Sequence, residues 1–437
     1  MPVPRFAVSS FACACLVFYW ALFSLYEFTL RLMGSAQLAY IKDGRLYTTD
    51  FVCLYQAGKM AMSSCRYAIY DAACQLDWLN RVISPLKSDV VIAIPYPPYV
   101  YWLMQPLAML PLHWSYVLFS VLVTAFGVLS LVLLMTSQKR FSALECTLLV
   151  MAVLASLPSQ ITLTLGQLAY FFVGVVSLYL LALERNWHVL AGVCLAVSTI
   201  KPHYAIFLSL PVLIQGRWRT LLVAMVVATA IFALAGLSMG WQNYLDYPGY
   251  VSGAYTSGLL AWMNPAYEVN IKALFAPFLQ PASSFWLGFL IALLFIALLG
   301  VLWKKATDRR SLELSNWAAA LTVLGMLAGS PHTCNYDCLF LSVCAVKTLP
   351  FISVARAWSL NPIDLRVWVC GLLLYPVINF VLAILVPLVS AGRAEPLLVM
   401  NLTLLAVNLV LLIAGSVYVA RLIGGARAAT GNQGAPP

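Results

Sequence analysis

The sequence predicts an all-α polytopic membrane protein built around a bundle of about twelve transmembrane helices, since each apolar run near 20 residues can span a bilayer. Three observations carry this prediction. Of 437 residues, 63% are hydrophobic and only 9% are charged, with a mean hydropathy of +0.91. Apolar runs of spanning length recur from end to end. The basic residues stand singly or in pairs at the ends of those runs. In lipid only helices or closed barrels satisfy every backbone group, and the short alternating strands of a barrel are absent.

Val8 to Leu30, after Arg5, is longer than a signal-peptide core and lacks a small-x-small cleavage site, so it reads as a retained anchor. The further expected spans are 113–136, 142–157, 165–183, 188–200, 204–215, 220–238, 283–303, 315–329, 338–354, 367–388 and 397–420. A shorter apolar piece, 99–111, follows Pro97-Pro98 and reads as a membrane-dipping helix. The whole of 1–420 forms one transmembrane domain, and 421–437 is expected to be a short disordered cytoplasmic tail.

Two of these runs, 188–200 and 204–215, are too short for an ordinary crossing. Charge bias decides between one crossing and two. With two, Lys139-Arg140, Arg185, Arg217/Arg219, Lys304-Lys305 with Arg309-Arg310, Arg356/Arg366 and Arg421/Arg427 all fall on the cytoplasmic side. With one, everything after Arg217 would flip outward, against that rule. The break at Thr199-Ile200-Lys201-Pro202 must then lie below the outer surface, which Pro202 permits by removing a helical donor. Both termini are cytoplasmic in this arrangement. The outer face carries loop 31–98, the Lys201-Pro202-His203 turn, a Tyr/Trp-rich loop at 239–282, and Ser330 to Asp337.

The polar residues of that face are the candidates for chemistry. Asp50 follows Thr48-Thr49 and precedes Phe51, Leu54/Tyr55 and Gly58/Met62, a spacing that predicts an amphipathic helix lying on the membrane. As a helix cap it would accept from the following amides. Position 53 is Cys, so no capping box supports that role. Lys201 at membrane depth requires a partner; no acid is near it in sequence, so an anionic ligand or snorkelling to headgroups remains open. His332, Asn335, Tyr336 and Asp337 concentrate polarity within one short turn and could hold a phosphate. Gln167 opens a span, either as a substrate contact or as a buried amide satisfied by neighbouring helices. Tyr96 re-enters the membrane with Pro97-Pro98, and the 241–267 aromatics suit an interfacial belt or a sugar-stacking platform.

Other classes are excluded on the same reading. The net charge of +10 is scattered and topological, so nucleic acid is not a partner. The eleven cysteines lie mostly in apolar runs without zinc spacing. Cys53, Cys65 and Cys74 share loop one and leave a disulfide there open. No Walker loop, GxGxxG, HExxH or DxD stands in a suitable context, which argues against direct use of ATP or a nucleotide sugar.

Taken in order, "DFVCLYQAGKMA", "YAIYDAA", "YPPYVYWLMQPLAMLPL", "LGQLAYFFVGVVSLYLLAL", "HVLAGVCLAVSTIKPHYAIFLSLPVLIQGRWR" and "SPHTCNYD" resemble glycosyltransferase family 87, within the GT-C superfamily. The resemblance runs from about residue 50 to 340. It implies a GT-C-type bundle, a polyprenyl-phosphate sugar donor, an extracytoplasmic lipid or glycan acceptor, an external active site and no metal cofactor. It further implies Asp50 as catalytic base, and Lys201, His332 and His203 at the donor phosphate. Gln167, Tyr96, Tyr336 and Asp337 are expected to contact substrate. The family often has Gln after its Lys-Pro where this chain has His203. The function so implied is an inverting transfer of a sugar, mannose by analogy, in a bacterial inner membrane. The alternatives are a transporter or flippase for a lipid-linked saccharide, which would show internal repeats and broken helices in both halves, and a non-catalytic membrane scaffold.

Overall fold

A computed structural model of the chain describes residues 38–42, 45–256, 268–275, 278–351, 367–368, 371–372 and 395–431. In order, these form β1 (Ala39–Lys42), β2 (Arg45–Thr48), α1 (Asp50–Ala61), α2 (Ala72–Val82), α3 (Pro98–Leu103), α4 (Gln105–Ala108), α5 (Leu112–Ser137), α6 (Ala143–Ala155) and α7 (Leu157–Leu165). There follow α8 (Ala169–Arg185), α9 (His188–Val197), α10 (Pro202–Ile214), α11 (Trp218–Met239), α12 (Gln242–Thr256), α13 (Ile271–Phe275), α14 (Pro281–Asp308), α15 (Leu312–Gly329), α16 (Leu341–Thr348) and α17 (Glu395–Gly431).

Among the described residues five helices are long and apolar enough to cross a membrane, or six if one bent pair counts as a single span. They are α5, α11, α14 from Ala282, α15 and the Leu405–Ile423 part of α17, with α6 and α7 as the bent pair. The expected anchor 8–30 lies outside the described residues, as does nearly all of 367–388. Among the described residues the one sheet is an antiparallel hairpin, β1 with β2, in which Ala39 faces Thr48. Helix α17 runs on to Gly431, through most of the segment expected to be a disordered tail.

Three departures from the sequence reading bear on the site. First, the apolar run 142–157 is not one straight span. Helix α6 ends at Ser156, α7 starts there with Pro158 in its first turn, and the axis bends by 55°. A proline tolerates the first turn of a helix and not its interior, so it restarts the helix in a new direction. Second, α1 is not an exposed surface helix. Ten of its twelve residues are buried, from Phe51 to Ala61 with Lys59 as the exception after the first position, and it packs against α2, α3 and α4. Its apolar residues surround the axis rather than forming one stripe, the mark of a helix enclosed by protein. Third, α9 passes through a 3₁₀ turn, Ser198–Ile200, and breaks at Lys201 before α10 starts at Pro202. Lys201 is buried at that break.

The bundle is held by small residues where helices meet. A Cβ on Gly127 of α5 would lie 2.5 Å from the Tyr170 carbonyl oxygen on α8. Lipid tails are as apolar as leucine, so close backbone approach of this kind supplies packing that hydrophobicity alone does not. Helix α15 is buried along nearly its whole length, and Trp317 on it meets Trp368 with ring centroids 4.7 Å apart.

Candidate functional site

Asp50 is the first residue of α1, with Thr49 at the N-cap position and no side-chain capping bond there. Its carboxylate is used elsewhere: Oδ2 accepts from Gln167 Nε2, across 117 residues of sequence. The contact depends on Gly166, which ends α7 in the left-handed region at φ +66. A Cβ at Gly166 would sit 2.5 Å from the Cβ of Phe51, so the α7–α8 turn can press against the start of α1 only with glycine there. Phe51 in turn packs on Tyr116 and Phe119, at 5.5 and 5.1 Å between ring centroids.

Burial raises the Asp50 carboxyl above its ordinary value, against the Gln167 hydrogen bond and the charges of His332 and Lys201, which favour the ionised form. Asp50 therefore lies within electrostatic reach of both cationic candidates.

Lys201 has an internal acid. Its Nζ donates to Asp337 Oδ1 at 2.9 Å and to Tyr204 Oη at 3.3 Å. It also stands over the rings of Tyr204, Phe172 and Tyr336, at 4.9, 5.6 and 5.6 Å. Asp337 is fully enclosed, and its second oxygen accepts from the Cys334 amide at 3.0 Å. This is a charged pair with its remaining hydrogen-bonding capacity partly met, as a buried ion pair requires. Asp337 thus faces Lys201 and the chain itself rather than standing free for a sugar. The partner that the sequence around Lys201 lacks comes from 136 residues further on.

Tyr96 lies on the extended segment before α3. Burial first, then the charges of Asp50 and Asp337, drive its phenol far above the usual value, so it is a hydrogen-bond donor at any working pH. Tyr336 is raised likewise, mainly by burial and the neighbouring Cys334 and Asp337. The 94–96 backbone is braced by tyrosines from three elements. Tyr70 donates to the Tyr96 carbonyl at 2.7 Å and Tyr101 to the Ile94 carbonyl at 3.0 Å. Tyr250 accepts from the Ile94 amide at 3.0 Å and donates to Gln75 at 3.0 Å. Tyr70 stacks with Tyr250 at 4.6 Å between ring centroids. Tyr247 and Tyr250, from the loop read as an interfacial belt or sugar platform, therefore buttress loop one. The Cys65–Cys74 disulfide closes the short segment that carries Tyr70, and Cys53 stays free and buried.

His332 and His203 complete the candidates. The His203 ring packs edge-on against Tyr204 at 4.7 Å, and its Nε2 is buried without a hydrogen-bond partner. His332 Nδ1 is likewise buried and unpartnered, 3.6 Å from Glu268 Oε1. At that separation no hydrogen bond exists. Glu268 is the residue the sequence reading missed. It is one of two acids in an aromatic loop, with no motif around it to single it out. The structure buries it and pairs it with Lys272 at 2.8 Å. Among the described residues, no group of three or more His, Cys, Asp or Glu side chains gathers as a metal site would require.

The assembled site defines a class: a polytopic helical membrane protein with a carboxylate, two histidines and a caged lysine–aspartate pair drawn together from distant parts of the chain. Residues 94–331 match the model of glycosyltransferase family 87, more than half of the sequence, and the chain belongs to that family. It is accordingly a membrane glycosyltransferase. No curated protein matches the chain. Tyr96, Gln167, Lys201, His203 and Glu268 fall within the matched stretch; Asp50, His332, Tyr336 and Asp337 fall outside it.

Proposed function

We propose that this glycosyltransferase moves a hexose, mannose being the first donor to test, from a polyprenyl phosphate to an extracytoplasmic lipid or glycan acceptor. The carrying observation is the Asp50 carboxylate, held by Gln167 and within reach of His332 and Lys201. A carboxylate raised by burial is a better proton acceptor near neutral pH. Asp50 takes the proton of the acceptor hydroxyl while that oxygen attacks the anomeric carbon. The bond from that carbon to the phosphate oxygen breaks, and its electron pair leaves with the polyprenyl phosphate. One displacement inverts the anomeric centre, so a single carboxylate suffices where a glycosidase needs two.

The leaving phosphate is already a stable anion and calls for charge stabilisation rather than protonation. His332 through its Nε2, and His203, whose Nε2 is buried and unpartnered, are the donors assigned to it, with the Lys201–Asp337 pair beside them. Tyr96 and Tyr336 supply neutral hydroxyl donors for the sugar. No metal takes part in this scheme. The charge bias of the loops favours an inner-membrane enzyme with cytoplasmic termini and an outward site. The disulfide in loop one supports an oxidising compartment on that side.

The test is direct. Purified protein in lipid is given labelled polyprenyl-phosphate hexoses and an acceptor extract, and product is measured with wild type and with Asp50→Asn. Transfer by the wild type and its loss in a folded Asp50→Asn protein support the reading. Full turnover by Asp50→Asn removes Asp50 as base, and lipid movement across vesicles without transfer replaces the enzyme with a transporter.

A further inference from the structure

A site that receives an anionic phosphodiester beside a carboxylate must supply positive charge. Two of the cations around it are already matched. Lys201 is neutralised by Asp337 at 2.9 Å, and Lys272 by Glu268 at 2.8 Å. Asp50 adds a negative charge. This leaves the charge state of His332 to decide whether the phosphate meets attraction or repulsion.

Glu268 and His332 are held close by backbone, not by chance. Glu268 forms an antiparallel bridge with Cys334, and the amide of Val269 donates to the Thr333 carbonyl at 2.8 Å. This pairing sets two short extended segments side by side and puts Glu268 Oε1 3.6 Å from His332 Nδ1. The other titratable neighbours are Asp50 from α1, His203 from α10, which burial keeps neutral, and Lys272 from α13, which competes for the same Glu268 oxygen. Catalytic hydrogen bonds are often long before substrate binds and tighten in the complex, and less than 1 Å of movement would close this one.

We propose that Glu268 is a positioning residue for the transfer, which keeps His332 as an imidazolium with Nδ1–H toward Glu268 and leaves Nε2–H for the donor phosphate. This rests on the phosphate role given to His332 above. The imidazolium donates a hydrogen bond to the departing phosphate and keeps its proton; the acceptor's proton remains on Asp50. Glu268 touches no substrate and acts through the histidine.

The two partners of Glu268 make the idea testable in two directions. The chain has four histidines, so isotope-labelled protein in lipid nanodiscs gives a small set of imidazole signals, with that of His332 assigned by its loss in His332→Gln. Removing a nearby opposite charge shifts such a titration by on the order of 1 pH unit. Glu268→Gln should move the His332 transition to lower pH, raise donor KM several-fold with a smaller fall in kcat, and carry the alkaline limb of the rate profile downward. Glu268→Asp should restore most of this. Lys272→Gln, which frees Glu268 for the histidine, should move the transition to higher pH. An unmoved His332 signal in Glu268→Gln, or movement of both variants in one direction, overturns the proposal. If Glu268→Gln does not fold, Lys272→Gln decides alone: a transition at unchanged or lower pH refutes it. The titration needs no turnover. A protein that transfers no sugar therefore defeats the proposed reaction and still leaves the Glu268–His332 pair decided.

Discussion

The two ends of α8 each meet a buried lysine, and each lysine is paired with an acid remote in sequence. At the start of the helix Lys201 stands over Phe172 and binds Asp337; at its end Lys347 binds Glu184. The separation is about 26 Å for seventeen helical residues. The pairs differ in their surroundings. The Asp337 side chain is 0% exposed and its second oxygen is occupied, whereas that of Glu184 is 30% exposed. Around Lys201 lie Asp50, His203, His332 and Tyr336. Glu184 lies in the last turn of α8, with the Leu183 carbonyl accepting from Arg217 at 2.6 Å. A buried ion pair is weak evidence of stability and none of function. What separates the two is company: one pair closes a helix end, and the other forms a wall of a polar site.

That contrast can be broken by mutation. The largest effect is expected outside both pairs, at the proposed base: Asp50→Asn should lower transfer by about 10²–10⁴-fold without loss of folded protein. Because burial raises the Asp50 value, its ionisation opposes folding above the unfolded value, so Asp50→Asn should melt no lower than wild type at neutral pH. The same direction fixes the acid limb of activity. A base works only unprotonated, so turnover should fall as pH drops through a value above the ordinary carboxylate range.

Next come the lysines themselves. Lys201→Met should destabilise by about 3–5 kcal/mol, the cost of leaving buried Asp337 alone, and Lys347→Met by less, because the Glu184 it leaves is 30% exposed. Only Lys201→Met should also lower transfer per folded molecule. A double change, Lys201→Met with Asp337→Leu, should recover much of the stability and little of the turnover, read by thermal melting beside initial rates. Recovery of both would reduce the Lys201–Asp337 pair to structure, like the Lys347–Glu184 pair.

Smaller effects compare two glycines. Gly166→Ala places a residue in the left-handed region, about 1–2 kcal/mol on conformation alone, and drives its Cβ into Phe51. It should loosen the Gln167–Asp50 contact and lower kcat. Gly127→Ala on the α5–α8 seam should cost stability and leave the rate per folded molecule unchanged. The smallest change is Tyr70→Phe, which removes one hydrogen bond worth about 0.5–1.5 kcal/mol. Substrate KM should rise a few-fold as the Tyr96 segment relaxes, with kcat nearly unaltered.

Much of the architecture can be read from the chain. The expected spans 113–136 and 220–238 become Leu112–Ser137 and Trp218–Met239, because a long apolar run has one low-energy state in lipid. The Lys201-Pro202 break is also visible, since Pro202 cannot continue a helix with full hydrogen bonding. Less legible are α1 and the α6–α7 bend. The pattern after Asp50 shows that a helix starts there, but not that α2, α3 and α4 enclose it. Pro158 marks a restart, but neither its 55° angle nor the packing of α7 against the Asn335–Phe340 turn is written in the local pattern.

The sequence by itself determined the solvent this protein folds in and the limits of its longest apolar helices. Those properties are local, set by hydropathy and proline geometry. Only the tertiary structure decided that Gln167 holds Asp50, that Asp337 neutralises Lys201, and that Glu268 stands beside His332. Partners of buried charges are chosen by which helix ends and loops meet in space. Here the first two of those meetings join residues 117 and 136 positions apart, far beyond the reach of any periodicity.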